Sequence, residues 1–388
     1  MKKYIGLVSF LLLFTLTSCA QNKQNAKKLL SMKALEKMEA LAPEKALESP
    51  EEAIKLDLTG GVGNQHIKNL GQFKNLQYLS LESCGLNKIP DEVFEMPHLQ
   101  WLNIRENKLD EIPKAIAKLT ELRKLEIGGN SFTELPAEFR KLSKLEYLGL
   151  TNSQVKSYPK EFGQLKKLQE LVLQNAQVTT LPSQFGELSS LKKIFLNFNP
   201  DIDSQQAWDV LAQLPNLEEV VFYGSNVKSL PLKKEGFSKV KKLHLGGDKL
   251  DLKQVLTTLG VLPSLEFLYL DQVTSIPSEV SKLTKLKTLI LFMDKSSEEE
   301  QEKIFINSKN VTSLELLRIR GRYFSVLPKQ VGELKQLKTL YIQGQLTTVP
   351  EEIKKLKNLK LLNLEMNKFP PEEKARIKKL LPNTEIKF

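Results

Sequence analysis

The sequence predicts an α/β solenoid, in which short strands from successive units pair into one parallel sheet. Three observations predict this fold class. A unit of mostly 23 residues recurs along the chain, leucine occupies its first, fourth and sixth positions, and a proline follows these leucines in most units. Repetition of this kind overrides the prior of one domain for roughly every 150 residues.

The first complete units show the spacing. Leu76, Leu99 and Leu122 begin the phrases LQYLSLESCGLNKIPDEVFEMPH, LQWLNIRENKLDEIPKAIAKLTE and LRKLEIGGNSFTELPAEFRKLSK. A unit with one apolar edge cannot bury that edge alone, so the units must stack. Fourteen units begin at Ala53, Leu76, Leu99, Leu122, Leu145, Leu168, Leu191, Leu217, Val240, Leu265, Leu286, Leu314, Leu337 and Leu359.

The first half of each unit is predicted to be a strand. Alternate residues of a strand point to opposite faces, so Leu79 and Leu81 are expected to point into the core. Tyr78, Ser80 and Glu82 are then expected to face outward. Repeated in every unit, this alternation predicts a parallel sheet that lines a concave face.

The second half of each unit is predicted to turn the chain and close the core from the convex side. Proline fixes φ and lacks a backbone donor, which suits Pro90, Pro136 and Pro182 to segments outside the sheet. Apolar residues follow these prolines at regular positions: Phe139, Leu142, Phe162, Leu165, Phe185 and Leu188.

The repeated phrase resembles the leucine-rich repeat, L-x-x-L-x-L-x-x-N/C-x-L, over about residues 53–369. Second halves that read L-P-x-x-F/I-G-x-L resemble the bacterial variety of this repeat. The resemblance implies a curved horseshoe with the parallel sheet on its concave face, about 14 repeats, a helical N-terminal cap and a C-terminal cap. Bacterial proteins of this kind often serve in adhesion or in recognition of other cells.

The ninth position of the unit carries a separate prediction. Cys84 occupies it in one unit, and Asn107, Asn130 and Asn199 occupy it in others. A buried side chain there is expected to satisfy backbone groups in the turn after the strand, which favours a structural role for Cys84 over a reactive thiol. Other residues take this position in further units: Ser153, Ala176, Ser225 and Asp248. The polar ladder should therefore be interrupted.

The first residues predict export and lipid attachment. The apolar run YIGLVSFLLLFTL follows a short basic start and is shorter than the roughly 20 residues of a transmembrane helix, which is typical of a signal peptide. Leu16-Thr17-Ser18-Cys19 resembles the lipobox of bacterial lipoproteins, which implies that Cys19 is diacylated and becomes the mature N-terminus. The alternative is an ordinary secretory signal that contains a cysteine.

Both ends of the repeats are expected to be capped. Leucines and methionines at helical spacing from Asn25 to Leu41 predict a capping helix, and Ser49 followed by Pro50 predicts the start of another. The predicted parts of the chain are a signal peptide (1–18), a tether and N-terminal capping region (19–52), the repeats (53–369) and a C-terminal cap (370–388).

The sequence offers little support for catalysis. Its three histidines, His66, His98 and His244, are isolated and are expected to be solvated at the surface, His244 facing out of a strand. No metal-ligand spacing, nucleophile motif or phosphate loop occurs. We therefore expect a protein that is not an enzyme and that has no cofactor and no metal site.

The concave face is the predicted site of function. Its outward positions carry many aromatic side chains, a class that is enriched, with arginine, in binding hot spots. The same rings could instead stack across strands and contribute fractions of a kcal/mol per pair. The predicted ligand-binding residues are Trp101, Tyr147, Tyr223, Tyr269, Phe292, Arg318, Arg320 and Tyr341.

One patch late in the chain is the most specific. Tyr269, Phe292 and Tyr341 are expected on neighbouring strands beside Arg318 and Arg320. Guanidinium groups bind carboxylates bidentately, so the patch would suit an extended peptide or protein segment that carries carboxylates or other anions. The alternative is two solvated arginines among ordinary strand residues.

Charge and export limit the partners. The formal net charge is +11, and Lys2 and Lys3 would leave with the signal peptide. A basic protein can favour anionic lipids, cell-wall polymers or acidic proteins, whereas nucleic acid does not fit an exported chain. We expect a monomer held on the bacterial cell envelope by lipid, with the periplasmic side of an outer membrane favoured over the cell surface. Its concave face would bind a protein or peptide; a passive spacer or scaffold is the alternative.

Overall fold

The structure is a computed structural model that describes residues 28–61, 64–230, 234–247, 249–293 and 296–388. The predicted signal peptide, Cys19 and Asp248 lie outside these ranges. Within them, no helix combines the length and the apolar character needed to cross a membrane. The chain divides into two compact parts, each much longer than one repeat, which we call unit 1 and unit 2. Unit 1 is Met1–Gln177 with Glu187–Ser189, and unit 2 is Val178–Gly186 with Ser190–Phe388.

Unit 1 contains six short parallel strands whose order follows the chain. Because these repeats have equal lengths, equivalent leucines pair in register, Leu79 with Leu102 and Leu102 with Leu125. These leucines are fully buried, as their inward positions predict. The strands are β1 (Lys55–Asp57), β2 (Tyr78–Ser80), β3 (Trp101–Asn103), β4 (Lys124–Glu126), β5 (Tyr147–Gly149) and β6 (Glu170–Val172).

Short 3-10 helices follow the prolines in both units. The Pro136 carbonyl accepts a hydrogen bond from the Phe139 amide at 3.1 Å, and the rings of Phe139 and Phe162 are fully buried. The fixed φ of proline starts a tight turn that returns an aromatic ring to the core. The 3-10 helices span Thr59–Gly61, Asn64–Gln72, Asp91–Glu95, Lys114–Lys118, Ala137–Lys141, Lys160–Gln164, Ser183–Glu187, Lys234–Phe237, Ser278–Lys282, Lys329–Glu333 and Glu351–Lys355.

Among the described residues, two α-helices precede the first strand. Helix α1 spans Met32–Lys37, and its N-cap Ser31 accepts a hydrogen bond from the Ala34 amide. Helix α2 spans Pro43–Glu48. The prediction that Ser49 and Pro50 begin a helix is wrong, because Ser49 follows the last residue of α2. Pro43 instead supplies the proline that is favoured in the first turn of a helix.

The segment before α1 is held by two buried glutamines. Gln77 accepts from the Leu30 amide at 2.7 Å and donates to the Lys28 carbonyl at 3.0 Å. Gln100 Nε2 donates to the Leu30 carbonyl at 3.0 Å and to Gln77 Oε1 at 2.9 Å. We call residues 28–30 with Gln77 and Gln100 the N-terminal clamp. The cap therefore reaches the second and third repeats as well as the first.

Unit 2 contains nine parallel strands, and those near its middle are longer than the strands of unit 1. They also pair residue by residue: Leu289 with Leu317, and Leu317 with Leu340. The strands are β7 (Lys193–Phe195), β8 (Glu219–Phe222), β9 (Lys242–Gly246), β10 (Phe267–Val273), β11 (Thr288–Met293), β12 (Leu316–Gly321), β13 (Thr339–Gln343), β14 (Leu361–Asn363) and β15 (Glu385–Lys387).

Three longer repeats of unit 2 contain an α-helix where the others contain a 3-10 helix. These are α3 (Ser204–Leu211), α4 (Leu252–Leu259) and α5 (Glu298–Ser308). The first two begin with aspartate N-caps, and α5 begins with a capping box between Ser297 and Glu300. Each helix buries apolar side chains, including Trp208 and Phe305. The extra residues therefore add to the core instead of forming loose loops.

The last helix, α6, spans Pro371–Leu380 and leads into β15. Arg376 Nε donates to the Glu373 carboxylate at 2.6 Å, and this carboxylate also accepts from the Val349 amide at 2.9 Å. The arginine lowers the pKa of Glu373 to about 2. With α1 and α2, these elements confirm the predicted solenoid with a helical N-terminal cap and a C-terminal cap.

The ladder at the ninth position forms and is interrupted, as predicted. Cys84 Sγ donates to the Leu58 carbonyl at 3.1 Å, and burial raises the pKa of this thiol. The Asn107 side chain accepts from the Cys84 amide and donates to the Leu81 carbonyl, at 3.0 and 2.8 Å. In the next repeat, the Asn130 side chain accepts from the Leu109 amide and donates to the Ile104 carbonyl, at 3.1 and 3.0 Å. Ser153 Oγ is buried without a hydrogen-bond partner among the described residues.

Candidate binding face

The outward-pointing positions of the strands form what we call the sheet face. In unit 2, parallel pairing aligns Tyr269, Ile290, Arg318 and Tyr341 across β10 to β13. Two residues further along β11 and β12, Phe292 pairs with Arg320. Neighbouring strands lie about 4.8 Å apart, so these side chains are direct neighbours. The repeat register thus produces a row of aromatic residues next to a row of arginines.

Four rings of unit 2 form a continuous chain of contacts, which we call the aromatic run. Its members are Phe198, Tyr223, Tyr269 and Phe292, and each successive pair of ring centroids lies 5.3 Å apart. Burial, with a smaller effect of the Asp271 charge, raises the pKa of Tyr269. Such ring pairs contribute about 0.5–1.5 kcal/mol each beyond the area that they bury. The run is therefore a preformed apolar surface.

Phe198 extends this run from an unusual backbone position. Its φ is 62°, in the left-handed region that favours glycine. The same turn holds Asn152 and Asn175 in unit 1 and Gly224 later in unit 2. The Phe198 ring is nevertheless 43% exposed. A bulky, exposed ring at a position suited to glycine indicates a role other than stability.

The two predicted arginines lie over aromatic rings of the sheet face. Arg320 Cζ is 5.0 Å from the centroid of Phe292, and Arg318 Cζ is 5.6 Å from that of Tyr341. Arg318 Nη2 also lies 3.4 Å from Gln343 Oε1. No carboxylate among the described residues lies within 4.0 Å of either guanidinium. Both cations are thus held in place, and no described carboxylate neutralises them.

Two further cations join these arginines. Arg318, Arg320, Arg322 and Lys368 line one open depression of about 680 Å³, together with glutamine, glycine and methionine residues. Arg322 and Lys368 were not among the predicted site residues. The alternation in Arg318-Ile319-Arg320-Gly321-Arg322 is visible in the sequence, but Arg322 lies after the end of β12, where alternation alone does not fix its direction. Nothing in the sequence places Lys368, from a different repeat, beside them. We call these four residues the cationic depression.

Acidic groups also lie beside the aromatic surface, near Tyr269. Glu219 Oε1 is 3.3 Å from His244 Nε2, and the imidazole lowers the pKa of Glu219. The His244 ring packs against Phe267 and Tyr269, with centroids 4.9 and 5.6 Å away. Burial raises the pKa of Asp271. The predicted solvated position of His244 is therefore wrong, since the ring is packed among aromatics and half-buried.

The sheet face of unit 1 also carries aromatic residues, but lysines cover them. Lys124 Nζ lies 3.8 Å from the Trp101 ring centroid and 4.6 Å from that of Tyr147. The same ammonium group is 3.2 Å from Glu126, whose carboxylate also lies 3.6 Å from Arg105. The charges and rings of this face are thus partnered with one another.

Tyr78 shows how far this covering goes. Lys55 Nζ lies 4.5 Å above its ring, and the Trp101 ring packs edge-on with centroids 4.8 Å apart. Burial, with a smaller effect of Asp57, raises the pKa of Tyr78 to about 12. Tyr78 and Ser80 were expected to face outward, yet both are buried. Neighbouring side chains on the sheet face cover them.

The structure separates the predicted ligand-binding residues into two groups. Trp101 and Tyr147 lie in unit 1, under Lys124. Tyr223, Tyr269, Phe292, Arg318, Arg320 and Tyr341 lie together on the sheet face of unit 2. As for other chemistry, no three His, Cys, Asp or Glu side chains of the described residues are grouped so that they could hold a metal ion.

Comparisons with known proteins bear on the fold. Family models described as leucine-rich repeat region and leucine rich repeat match residues 28–146 and 120–178. A leucine-rich-repeat protein from Leptospira interrogans has 28% identity and a TM-score of 0.56, over 95% of this chain and 98% of that chain. An internalin from Listeria monocytogenes has 19% identity and a TM-score of 0.51, over 92% of each chain. No curated protein sequence matches significantly.

These similarities agree with the strand order and the repeat register. The fold is a leucine-rich-repeat solenoid. Folds of this kind commonly mediate protein–protein interaction through extended surfaces, and no catalytic family is indicated.

Proposed function

We propose that this protein binds a protein or peptide partner through the sheet face of unit 2. The observation that carries the proposal is the aromatic run beside arginines that have no described carboxylate within 4.0 Å. Aromatic residues and arginine dominate binding hot spots, and a preformed surface loses little conformational entropy on binding. The exposed ring of Phe198, at φ 62°, adds a second reason, since folding alone does not favour it.

A photo-crosslinking amino acid can test this proposal against the passive spacer. One variant carries it at Phe292, and a matched variant carries it at Lys355, an exposed residue of the 3-10 helix Glu351–Lys355 in the same unit. In cells of the source bacterium, we expect a discrete protein adduct from position 292 and none from 355. Equal labelling from both positions, or no adduct from either, would support a spacer.

We propose further that Cys19 carries lipid and that the protein sits on the cell envelope, in adhesion or recognition. The support is the lipobox-like sequence at residues 16–19 and the short apolar run before it. Replacing Cys19 with alanine should move the protein from the membrane fraction to the soluble fraction. If the Cys19→Ala variant stayed in the membrane fraction, the proposal of a lipid anchor at Cys19 would be wrong.

The membrane side decides between two groups of partners. We favour the periplasmic side of an outer membrane, where the partners would be envelope proteins. Protease added to intact cells should then leave the protein uncut, and permeabilised cells should show digestion. Digestion on intact cells would place the protein outside and favour adhesion to host or neighbouring cells.

A further inference from the structure

Three arginines of the cationic depression alternate along the chain. Arg318 and Arg320 lie on β12, and Arg322 follows one residue after its end. Alternate residues of a strand share a face and are separated by about 6.6–6.8 Å. All three line the same depression. The strand positions of Arg318 and Arg320 therefore repeat at the distance of an extended chain, and Arg322 adds a third cation from the turn that follows.

These cations differ from two lysines that directly precede the neighbouring strands β11 and β13. In the same unit, Lys338 lies 2.7 Å from Glu315 and Lys287 lies 3.1 Å from Glu266, so both are paired across strands. The residues that line the depression include no acid. Glu365, which follows β14, accepts a hydrogen bond from Asn363 Nδ2 at 2.8 Å. Four like charges without a described counter-charge make the folded protein less stable and an anionic ligand more strongly bound.

We infer that the cationic depression binds an extended acidic segment of the partner protein, with carboxylates at alternate residues. This inference rests on the proposed function of the sheet face. Side chains two residues apart in an extended segment repeat at about 6.6–6.8 Å, the same distance as the strand positions of Arg318 and Arg320. Guanidinium groups also bind carboxylates through two parallel hydrogen bonds, which gives the contact a fixed geometry.

Two synthetic peptides of the same composition test the spacing. One is acetyl-Glu-Thr-Glu-Thr-Glu-Thr-amide, and the other is acetyl-Glu-Glu-Glu-Thr-Thr-Thr-amide, each with a fluorescent label. We expect the mature chain to bind the alternating peptide about 5- to 10-fold more tightly at low salt, where surface charges are least screened. Equal affinity for both peptides would overturn the inference, because the depression would then respond only to net charge.

Two triple variants separate the site from the overall charge. The first variant combines Arg318→Gln, Arg320→Gln and Arg322→Gln. It should bind the alternating peptide at least about 10-fold more weakly, since each substitution removes a charge-assisted hydrogen bond. The control removes three exposed cations of unit 1: Lys114→Gln, Arg140→Gln and Lys141→Gln. It should change affinity less than about twofold, because distant exposed charges are screened. An equal loss in the control would contradict the inference.

Two further measurements complete the test. A variant with Arg318→Lys, Arg320→Lys and Arg322→Lys keeps the charge and controls for loss of folding. Its affinity for the alternating peptide should lie between that of the wild type and that of the glutamine variant. The second measurement adds inorganic phosphate at a concentration equal to that of the peptide carboxylates. Displacement of the peptide by phosphate would contradict the inference and indicate a site for free anions. None of these measurements uses the cellular partner, so their failure leaves crosslinking from position 292 as an independent test of the proposed function.

Discussion

In unit 1 the ammonium group of Lys124 lies over two aromatic rings, whereas in unit 2 four rings lie against one another and the arginines stand beside them. The two sheet faces come from the same repeat and the same alternation of side chains. They differ in how their polar groups are satisfied. Glu126 of unit 1 neutralises Lys124, but no described carboxylate does this for Arg318 or Arg320.

This difference shows that aromatic residues on a repeat surface are not by themselves a binding site. Where cations of the same protein cover the rings and carboxylates pair with the cations, the surface is complete without a partner. Where no described carboxylate pairs with the cations, as for Arg318 and Arg320, the surface still offers charges to an anionic partner. Matched double substitutions in the two units test whether their sheet faces differ in this way.

The largest expected effect concerns partner affinity. Tyr269→Ser with Phe292→Ser should weaken binding of the crosslinked partner at least about 30-fold, since hot-spot residues contribute 2 kcal/mol or more. The matched exchange in unit 1, Trp101→Ser with Tyr147→Ser, should change affinity less than about twofold. It should instead lower the free energy of unfolding by about 2 kcal/mol or more. Titration of the purified partner and urea unfolding measure the two effects, and equal loss of affinity in both variants would remove the comparison.

A smaller effect is expected on stability alone. The Lys124 side chain is 21% exposed and touches two rings and a carboxylate, so Lys124→Met should lower the free energy of unfolding by about 1–2 kcal/mol. Arg320 is exposed and contacts one ring, so Arg320→Met should lower it by about 0.5 kcal/mol or less. Urea titration of both variants checks this order. The reverse order would show that the arginine is structural.

Phe198→Gly tests the cost of an exposed ring in a left-handed turn. The substitution relieves roughly 1–2 kcal/mol of backbone strain and loses a ring contact with Tyr223 of about 0.5–1.5 kcal/mol. Stability should therefore change by less than about 1 kcal/mol, while partner affinity falls about fivefold. The control is Asn152→Gly at the same turn of unit 1, where φ is 57°. A large loss of stability in Phe198→Gly would assign the ring to folding.

The smallest effects are expected at two acidic residues, whose substitution should change the free energy of unfolding in opposite directions. Burial raises the pKa of Asp271, so the folded state holds this proton more tightly than the unfolded chain does, and stability should rise as pH falls toward that pKa. Asp271→Asn should raise the free energy of unfolding at pH 7 by roughly 0.5 kcal/mol and remove this pH dependence. Glu126→Gln should lower it, because Lys124 and Arg105 lose their partner. Thermal unfolding from pH 4 to 7 distinguishes the two.

Much of the fold could be predicted because the repeat determines it locally. Inward leucines such as Leu79 follow from the period of two, and the buried ring of Phe139 follows from its distance after a proline. The exposure of Tyr78 could not be predicted in the same way. It is covered by Lys55 and Trp101, each 23 residues away, and whether such neighbours cover a ring depends on side-chain packing between repeats.

The candidate site was predictable in position but not in extent. Strand register brings Tyr269, Phe292 and Arg320 together, and the alternation of leucines predicts that register. Arg322 lies after the end of β12, where alternation no longer guarantees a direction, and Lys368 comes from a separate turn. Phe198 differs from the small or polar residues at its turn position in most other repeats, but its exposure depends on the fold.

The N-terminal clamp has a mechanical consequence. If Cys19 carries the lipid, eight residues separate it from Lys28, and the nine steps between them span about 30 Å at most. A pull on the membrane anchor would then reach Gln77 and Gln100 before it reaches β1, because residues 28–30 are hydrogen-bonded to these two side chains. The load would enter the solenoid through its second and third repeats. The first strand would stay paired until the clamp had been stripped away.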